Sequence, residues 1–166
     1  MGRLRTAVSL GVLSLAVLTS NRISSASSSE KIPYPGDYRK WIHVKTQMVG
    51  SASPFFESGG GIHHIYANPA AMEGYRTGAF ADGAEMVFDL LEARETAGVT
   101  VEGARSRIDV MLKDGKRFAA TSGWGFERFA GDSETERPLT EEHRALCFSC
   151  HEKRKSHDFV FSDFRK

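Results

Sequence analysis

Apolar and polar residues follow two different rhythms along this chain. A period of two runs through residues 84–94, where Ala84, Met86, Phe88 and Leu90 share one face. It recurs in residues 107–113, with Ile108, Val110 and Leu112 facing inward and Arg107, Asp109 and Lys113 facing outward. Both segments read as strands. Residues 62–67 (IHHIYA) form a third, stopped by Asn68-Pro69, and residues 117–121 with 124–129 read as the last, bent at Gly123. Asp82-Gly83, residues 98–103 and Asp114-Gly115 mark the turns, the last being a strong hairpin signal. Helical spacing appears in three places. Residues 34–49 begin with the turn and cap signal Pro35-Gly36-Asp37 and set Tyr38, Trp41, Ile42 and Lys45 on one side. Residues 69–76 open with proline at the first turn. Residues 140–153 open on Thr140, Glu141 and Glu142, a cap followed by first-turn acids. Residues 51–61 read as loop, and Gly59-Gly60-Gly61 as a flexible turn, because no Lys-Ser/Thr follows to make a phosphate cradle. Helix, strand, helix, a strand meander and a final helix make an α+β fold, an antiparallel β-sheet packed with a few helices.

The first 26 residues fall outside that pattern. Arg3 and Arg5 precede an apolar run at 7–18 (AVSLGVLSLAVL), then a small-residue segment with a cut expected after Ala26. A dozen apolar residues are too few to span a bilayer but suit a secretory signal. Residues 1–26 are thus expected to be a signal peptide and residues 27–166 a single domain, located in the periplasm. Loss of Arg3, Arg5 and Arg22 moves the net charge from +1 to about −2. That balance argues against nucleic acid as a partner, and against a membrane once the leader is cleaved. All eleven Phe, both Trp and all four Tyr lie beyond the leader, enough aromatic surface to wall in a planar ligand or to fill an ordinary core.

The chemistry sits near the end of the chain. Cys147, Cys150 and His151 form C-x-x-C-H, reading CFSCH, and hold the only two cysteines. This is the attachment pattern of a c-type haem: two thiols join the porphyrin vinyls as thioethers and the histidine ligates the iron. On a helix over 140–153 all three residues share a face. A zinc site would need four ligands, drawn from Cys147, Cys150, His151 and His157, but His151 lies too close to Cys150 to join the same ion easily. A thioredoxin-type pair belongs after an early strand, and a disulfide across two intervening residues is strained. One covalent haem c, with His151 on the metal, agrees best with an exported chain.

The stretch 61–92 (GIHHIYANPAAMEGYRTGAFADGAEMVFDLLE), the block 111–126 (MLKDGKRFAATSGWGF) and the ending CFSCH…DFVFSDF together resemble the cytochrome P-460 family. The likeness spans about residues 38–164. It implies an antiparallel β-sheet haem protein of the periplasm, commonly a homodimer, with His151 as proximal ligand and the distal position open or filled by water. The family holds two chemistries. Cytochrome P-460 itself oxidises hydroxylamine through a haem cross-linked to a strand lysine. The related cytochrome c′-beta lacks that bond, walls its distal pocket with phenylalanine, and binds nitric oxide and carbon monoxide. Residues 82–90 match the lysine-bearing strand, with Phe88 at the matching position, and no lysine lies between Lys45 and Lys113.

Three functions remain to be separated. A gas-binding protein would place apolar Phe88 over the iron and favour small neutral diatomics. An oxidoreductase acting on hydroxylamine or nitrogen oxides would need a polar distal base and, ordinarily, the missing lysine. An electron carrier working with a redox partner protein would need a second axial ligand, from His63, His64, Met48, Met72, Met86 or Met111. His63 and His64 fall on opposite faces of one strand, so one of them points inward as donor, ligand or core residue.

Overall fold

In the computed structural model, which describes residues 1–2 and 31–165, five antiparallel strands pair in chain order, so that every sheet neighbour is also a sequence neighbour. They are β1 (Ile42–Val49), β2 (Gly61–Ala67), β3 (Glu85–Thr96), β4 (Val99–Lys113) and β5 (Trp124–Ala130). A short helix α1 (Phe56–Gly59) precedes β2, α2 (Pro69–Thr77) joins β2 to β3, and α3 (Glu141–His151) follows β5. This is the expected α+β arrangement. The expected signal peptide lies outside the described residues apart from Met1 and Gly2. Among the described residues no helix is long and apolar enough to cross a membrane.

Local chemistry accounts for most of these elements. Asn68 caps α2: its Oδ1 accepts from the backbone of Ala71 at 2.8 Å and of Glu85 at 3.1 Å, and its Nδ2 donates to the Gly83 carbonyl at 2.8 Å. One side chain thus holds a helix start, a strand start and the turn between them, where such a cap alone contributes about 1 kcal/mol. Thr140 caps α3 through the His143 amide at 3.3 Å. Gly61 opens β2 with φ +126°, and any Cβ there would lie 2.2 Å from the Leu91 carbonyl oxygen.

Residues 51–61 are not all loop, since Phe56–Gly59 make one helical turn and Gly61 already pairs in β2, and four further expectations fail for identifiable reasons. Residues 34–49 are not a helix. Only Tyr38–Lys40 make a single 3-10 turn, and Ile42–Val49 pair with β2 as an edge strand. Ile42, Val44, Thr46 and Val49 are β-branched, and pairing outweighs the accidental helical spacing of Tyr38, Trp41 and Ile42. Residues 98–103 do not turn. The chain reverses at Ala97 and Gly98, both left-handed, and β4 begins at Val99 in an exposed hairpin with no burial pattern to read. Residues 117–121 are not a strand: Asp114 accepts from the Lys116 and Arg117 amides and starts a compact loop with a 3-10 turn at Ala119–Thr121. Finally, Arg107 and Asp109 do not face open solvent, because both faces of the sheet are covered.

Register defines those two faces. On one, cross-strand rows run His63–Leu90–Arg107–Ala130, Ile65–Phe88–Asp109–Arg128 and Ala67–Met86–Met111–Phe126. Ile65, Ala67, Met86, Met111 and Phe126 of this front face pack with Ala71, Trp124, Phe159 and Val160 into one core. The back face presents Val87, Ile108, Val110 and Phe129, which pack with Ile32, Tyr38 and Phe118 into a second. The back core also buries Asp89, whose carboxylate accepts from Tyr38 Oη (2.8 Å), Arg39 Nη2 (2.8 Å) and Arg105 Nε (2.6 Å).

Candidate functional site

Helix α3 is docked against β5 by charge. Arg144 donates to both oxygens of the buried Glu127 (3.0 and 3.2 Å) and to the Phe126 carbonyl (3.2 Å), while Arg137 holds the same carboxylate at 3.1 Å. A buried carboxylate is tolerated only when clamped in this way. The clamp turns Leu146, Cys147, Cys150 and His151 of α3 toward the front of the sheet, where they line a cavity of about 710 Å³ with Phe88, Leu90, Met111 and Phe126. Such a volume lies in the range of small-molecule and cofactor sites, roughly 300–1,000 Å³. Phe55, Leu146 and Phe161 stand at its walls with much of their surface bare. Apolar side chains exposed around a concave site are what a large planar apolar ligand would cover.

His151 is held in one orientation. Its Nδ1–H donates to the Phe159 carbonyl at 2.7 Å, so Nε2 is the nitrogen left for a metal. The ring sits between Phe126 (centroids 5.1 Å) and Phe161 (5.0 Å). Burial pulls its pKa below the ordinary histidine value, against the opposing pull of the carbonyl, which keeps the imidazole neutral and able to ligate. Burial raises the Cys147 thiol, with the nearby Asp109 carboxylate adding to the effect, whereas Cys150 is exposed; neither is in a disulfide. Among the described residues no three His, Cys, Asp or Glu side chains converge as a metal cage.

The acceptor for His151 comes from the segment after α3. A 3-10 turn at Glu152–His157 ends in Asp158 (φ 47°) and Phe159 (φ 66°), two consecutive left-handed residues that are not glycine. Each costs on the order of 1–3 kcal/mol and persists only where the surroundings impose it. Here they do: Asp158 Oδ2 accepts from the Phe80 amide (2.8 Å), Oδ1 from Lys113 Nζ (2.9 Å) and its carbonyl from Trp124 Nε1 (3.0 Å). The Phe159 ring stacks on Phe148 of α3 at 5.5 Å.

The sheet wall carries the remaining candidates. Phe88 and Leu90 line the cavity, in line with their shared face. His63 lines it too, with Nε2–H donated to the Gly59 carbonyl at 2.6 Å and its pKa lowered by burial. His64 lies on the opposite face, joined to Thr46 (2.8 Å) and Glu102 (2.6 Å). Of the four candidate methionines only Met111 lines the cavity; Met86 is buried with its sulfur accepting from Tyr75 Oη at 3.1 Å, Met72 is partly buried against the front core, and Met48 is exposed. A charged cluster also lines it, of which alternation had turned Arg107 and Asp109 outward and had not singled out Arg128. Asp109 accepts from Arg107 Nε at 2.9 Å and from Arg128 Nη2 at 3.0 Å, beside Phe88 in the same row.

The model of the Cytochrome P460 family matches residues 35–162, a span that holds the whole sheet, α3 and the segment carrying Phe159. The chain belongs to the cytochrome P460 family. No curated protein matches it. Membership makes the chain a haem-binding cytochrome, and the cavity fits that group. Two thiols, a neutral imidazole with Nε2 free and bare aromatic walls meet around one space of adequate size. The CFSCH motif announced the helix side of this cytochrome P460 cavity. The Phe159 carbonyl has no sequence signal, since a backbone acceptor is specified by chain path alone. For Arg107 and Asp109 the signal was present but pointed the wrong way, because charged residues alternating with apolar ones normally mark a solvent face; Arg128 was not singled out at all.

Proposed function

We propose that the chain is an exported, periplasmic mono-haem c-type cytochrome that binds small neutral gases, nitric oxide and carbon monoxide, at an iron ligated by His151. Cys147 and Cys150 form the two thioethers. When bound, the haem supplies an iron with one coordination position open to a diatomic. Phe88 carries the reading. It lines the same cavity as Cys147, Cys150 and His151, with Leu90, Met111 and Phe126 on the same wall, and among the described residues no lysine lines that cavity. An apolar wall excludes water and disfavours charged ligands, whereas a neutral diatomic needs only space. His151, fixed in tautomer and orientation by the Phe159 carbonyl, presents Nε2 without reorganisation.

The absorption spectrum of the ferrous protein tests this reading. A high-spin spectrum that shifts on adding carbon monoxide is the expected result. A low-spin spectrum indifferent to the gas would replace it with an electron carrier, with Met111 or His63 as second ligand.

One observation favours a second reading, an oxidoreductase acting on a nitrogen oxide or hydroxylamine. The Arg107–Asp109–Arg128 cluster puts two guanidiniums and a carboxylate beside Phe88, the kind of polar group that holds protons and anionic ligands. Tight binding of nitrite to the ferric protein, lost in Arg128→Leu, would favour it over gas binding. A homodimer is part of the first reading; the exposed apolar side chains of Ile42 and Met48 on edge strand β1 suit it, and sedimentation of the holoprotein tests it.

A further inference from the structure

We propose that Asp158 is a positioning residue for the iron ligand: by holding the chain left-handed at residues 158 and 159, it aims the Phe159 carbonyl at His151 Nδ1 and so sets how strongly the imidazole donates to the metal. The inference rests on the haem reading above and adds to it the element that tunes the haem.

The geometry converges from three parts of the fold. Phe80 follows α2, Lys113 ends β4 and Trp124 begins β5; each makes one hydrogen bond to Asp158, two to the side chain and one to the carbonyl. The next carbonyl in the chain receives the His151 proton at 2.7 Å. Phe159 is itself buried and stacked on Phe148, so the turn is fixed on both sides. Lys113 is mostly shielded from solvent, as is Asp158, which makes their ion pair a firm tie rather than a surface contact. A stronger hydrogen bond at Nδ1 gives the imidazole more anionic character, strengthens its bond to iron and stabilises the ferric state; a looser one does the reverse. Asp158 lies in the tail beyond the CxxCH motif and is not among the residues that line the cavity, so its link to His151 runs through the neighbouring Phe159 carbonyl.

The test uses the haem-loaded, full-length protein and three substitutions. Asp158→Gly keeps the left-handed backbone accessible but removes both side-chain bonds. Asp158→Asn keeps an acceptor for the Phe80 amide on a residue that tolerates the left-handed region, and loses only the charge. Asn68→Ala, which removes the α2 cap, is a stability control remote from His151. The reduction potential and the iron–histidine stretching frequency of the ferrous state are the readouts. Asp158→Gly is expected to raise the potential and lower the frequency, with Asp158→Asn between it and the parent and Asn68→Ala lowering Tm with neither spectroscopic change. If Asp158→Gly fails to accumulate, Lys113→Met is expected to shift both readouts in the same direction by less. Parent-like potential and frequency in Asp158→Gly, or in Lys113→Met where the glycine variant is lost, would overturn the proposal. A parent protein that takes up no haem would overturn the haem reading and this inference together, a distinct result.

Discussion

Both faces of the sheet carry an aspartate clamped by arginines, and the two clamps differ in one respect. On the back face Asp89 is wholly buried, 0 % exposed, and receives Tyr38, Arg39 and Arg105, with Arg105 also paired to Asp132. On the front face Asp109 is 33 % exposed and receives Arg107 and Arg128, and the surface left bare looks into the cavity. Identical chemistry therefore serves two ends. A carboxylate with both oxygens hydrogen-bonded and no access to solvent is a fixture of the fold, and its clamp anchors the segment around Tyr38 to the sheet. A carboxylate left partly open beside Phe88 is available to whatever enters the cavity. Exposure, rather than residue type, separates structure from function here.

The largest effect that could break this comparison is on stability. Asp89→Ala leaves Arg105 with Asp132 as its remaining ion-pair partner and removes the acceptor of Tyr38 Oη, whose own pKa is pushed up to about 12 by burial with the Asp89 bond adding to it. A loss of about 3–5 kcal/mol is expected by denaturant unfolding, because breaking a buried pair leaves a charge uncompensated. The haem spectrum of whatever folds should be unchanged. Phe88→Lys should act the other way round, lowering carbon monoxide affinity of the ferrous protein by roughly tenfold or more, about 1.4 kcal/mol, while folding survives. Unchanged affinity would remove Phe88 from the ligand side.

Smaller effects sharpen the contrast. Glu85, at the start of β3, is pushed up to about 7 by burial, from an ordinary value of 4.5. Its folded form keeps a proton that the unfolded chain gives up first. Stability from this group is therefore present below about pH 4.5 and is lost as pH rises through 7. Glu85→Gln should flatten that slope and raise stability at pH 8 by on the order of 1–2 kcal/mol, read from unfolding midpoints at pH 5 and 8. Asp109→Asn should be the mildest on stability, below about 1 kcal/mol, since its pairs are partly solvated. Its signature should appear instead in the ferric ligand-binding spectrum. A loss matching that of Asp89→Ala would erase the distinction between the two faces.

Much of this was legible in the chain. Strand β3, helix α2 and helix α3 were readable because alternation, a proline at the first turn and a threonine cap are local signals. Cys147, Cys150 and His151 were readable because their spacing has one dominant chemical use. Phe88 was reached through the family resemblance and shares its strand face with Met86 and Leu90, whereas alternation said only that one of His63 and His64 points inward and left open which. What was not legible depends on partners distant in sequence. Ile42–Val49 has one fully buried residue, Val44, so its strand character appears only through pairing with β2. Arg107 and Asp109 looked solvated because nothing nearby in sequence says that a helix 30 residues later, and the cavity beneath it, cover their face. The Phe159 carbonyl was invisible because any residue has one; only Asp158, Lys113, Phe80 and Trp124 together determine where it points.

The central claim is that the cavity between α3 and the front of the sheet holds a porphyrin bonded to Cys147 and Cys150. The intact mass of the chain, purified after export from cells with a working haem-attachment system, tests it most directly. The account predicts the mass of the processed polypeptide plus one haem, with no thiol open to alkylation. A mass equal to the bare polypeptide, with both cysteines alkylated, would contradict it.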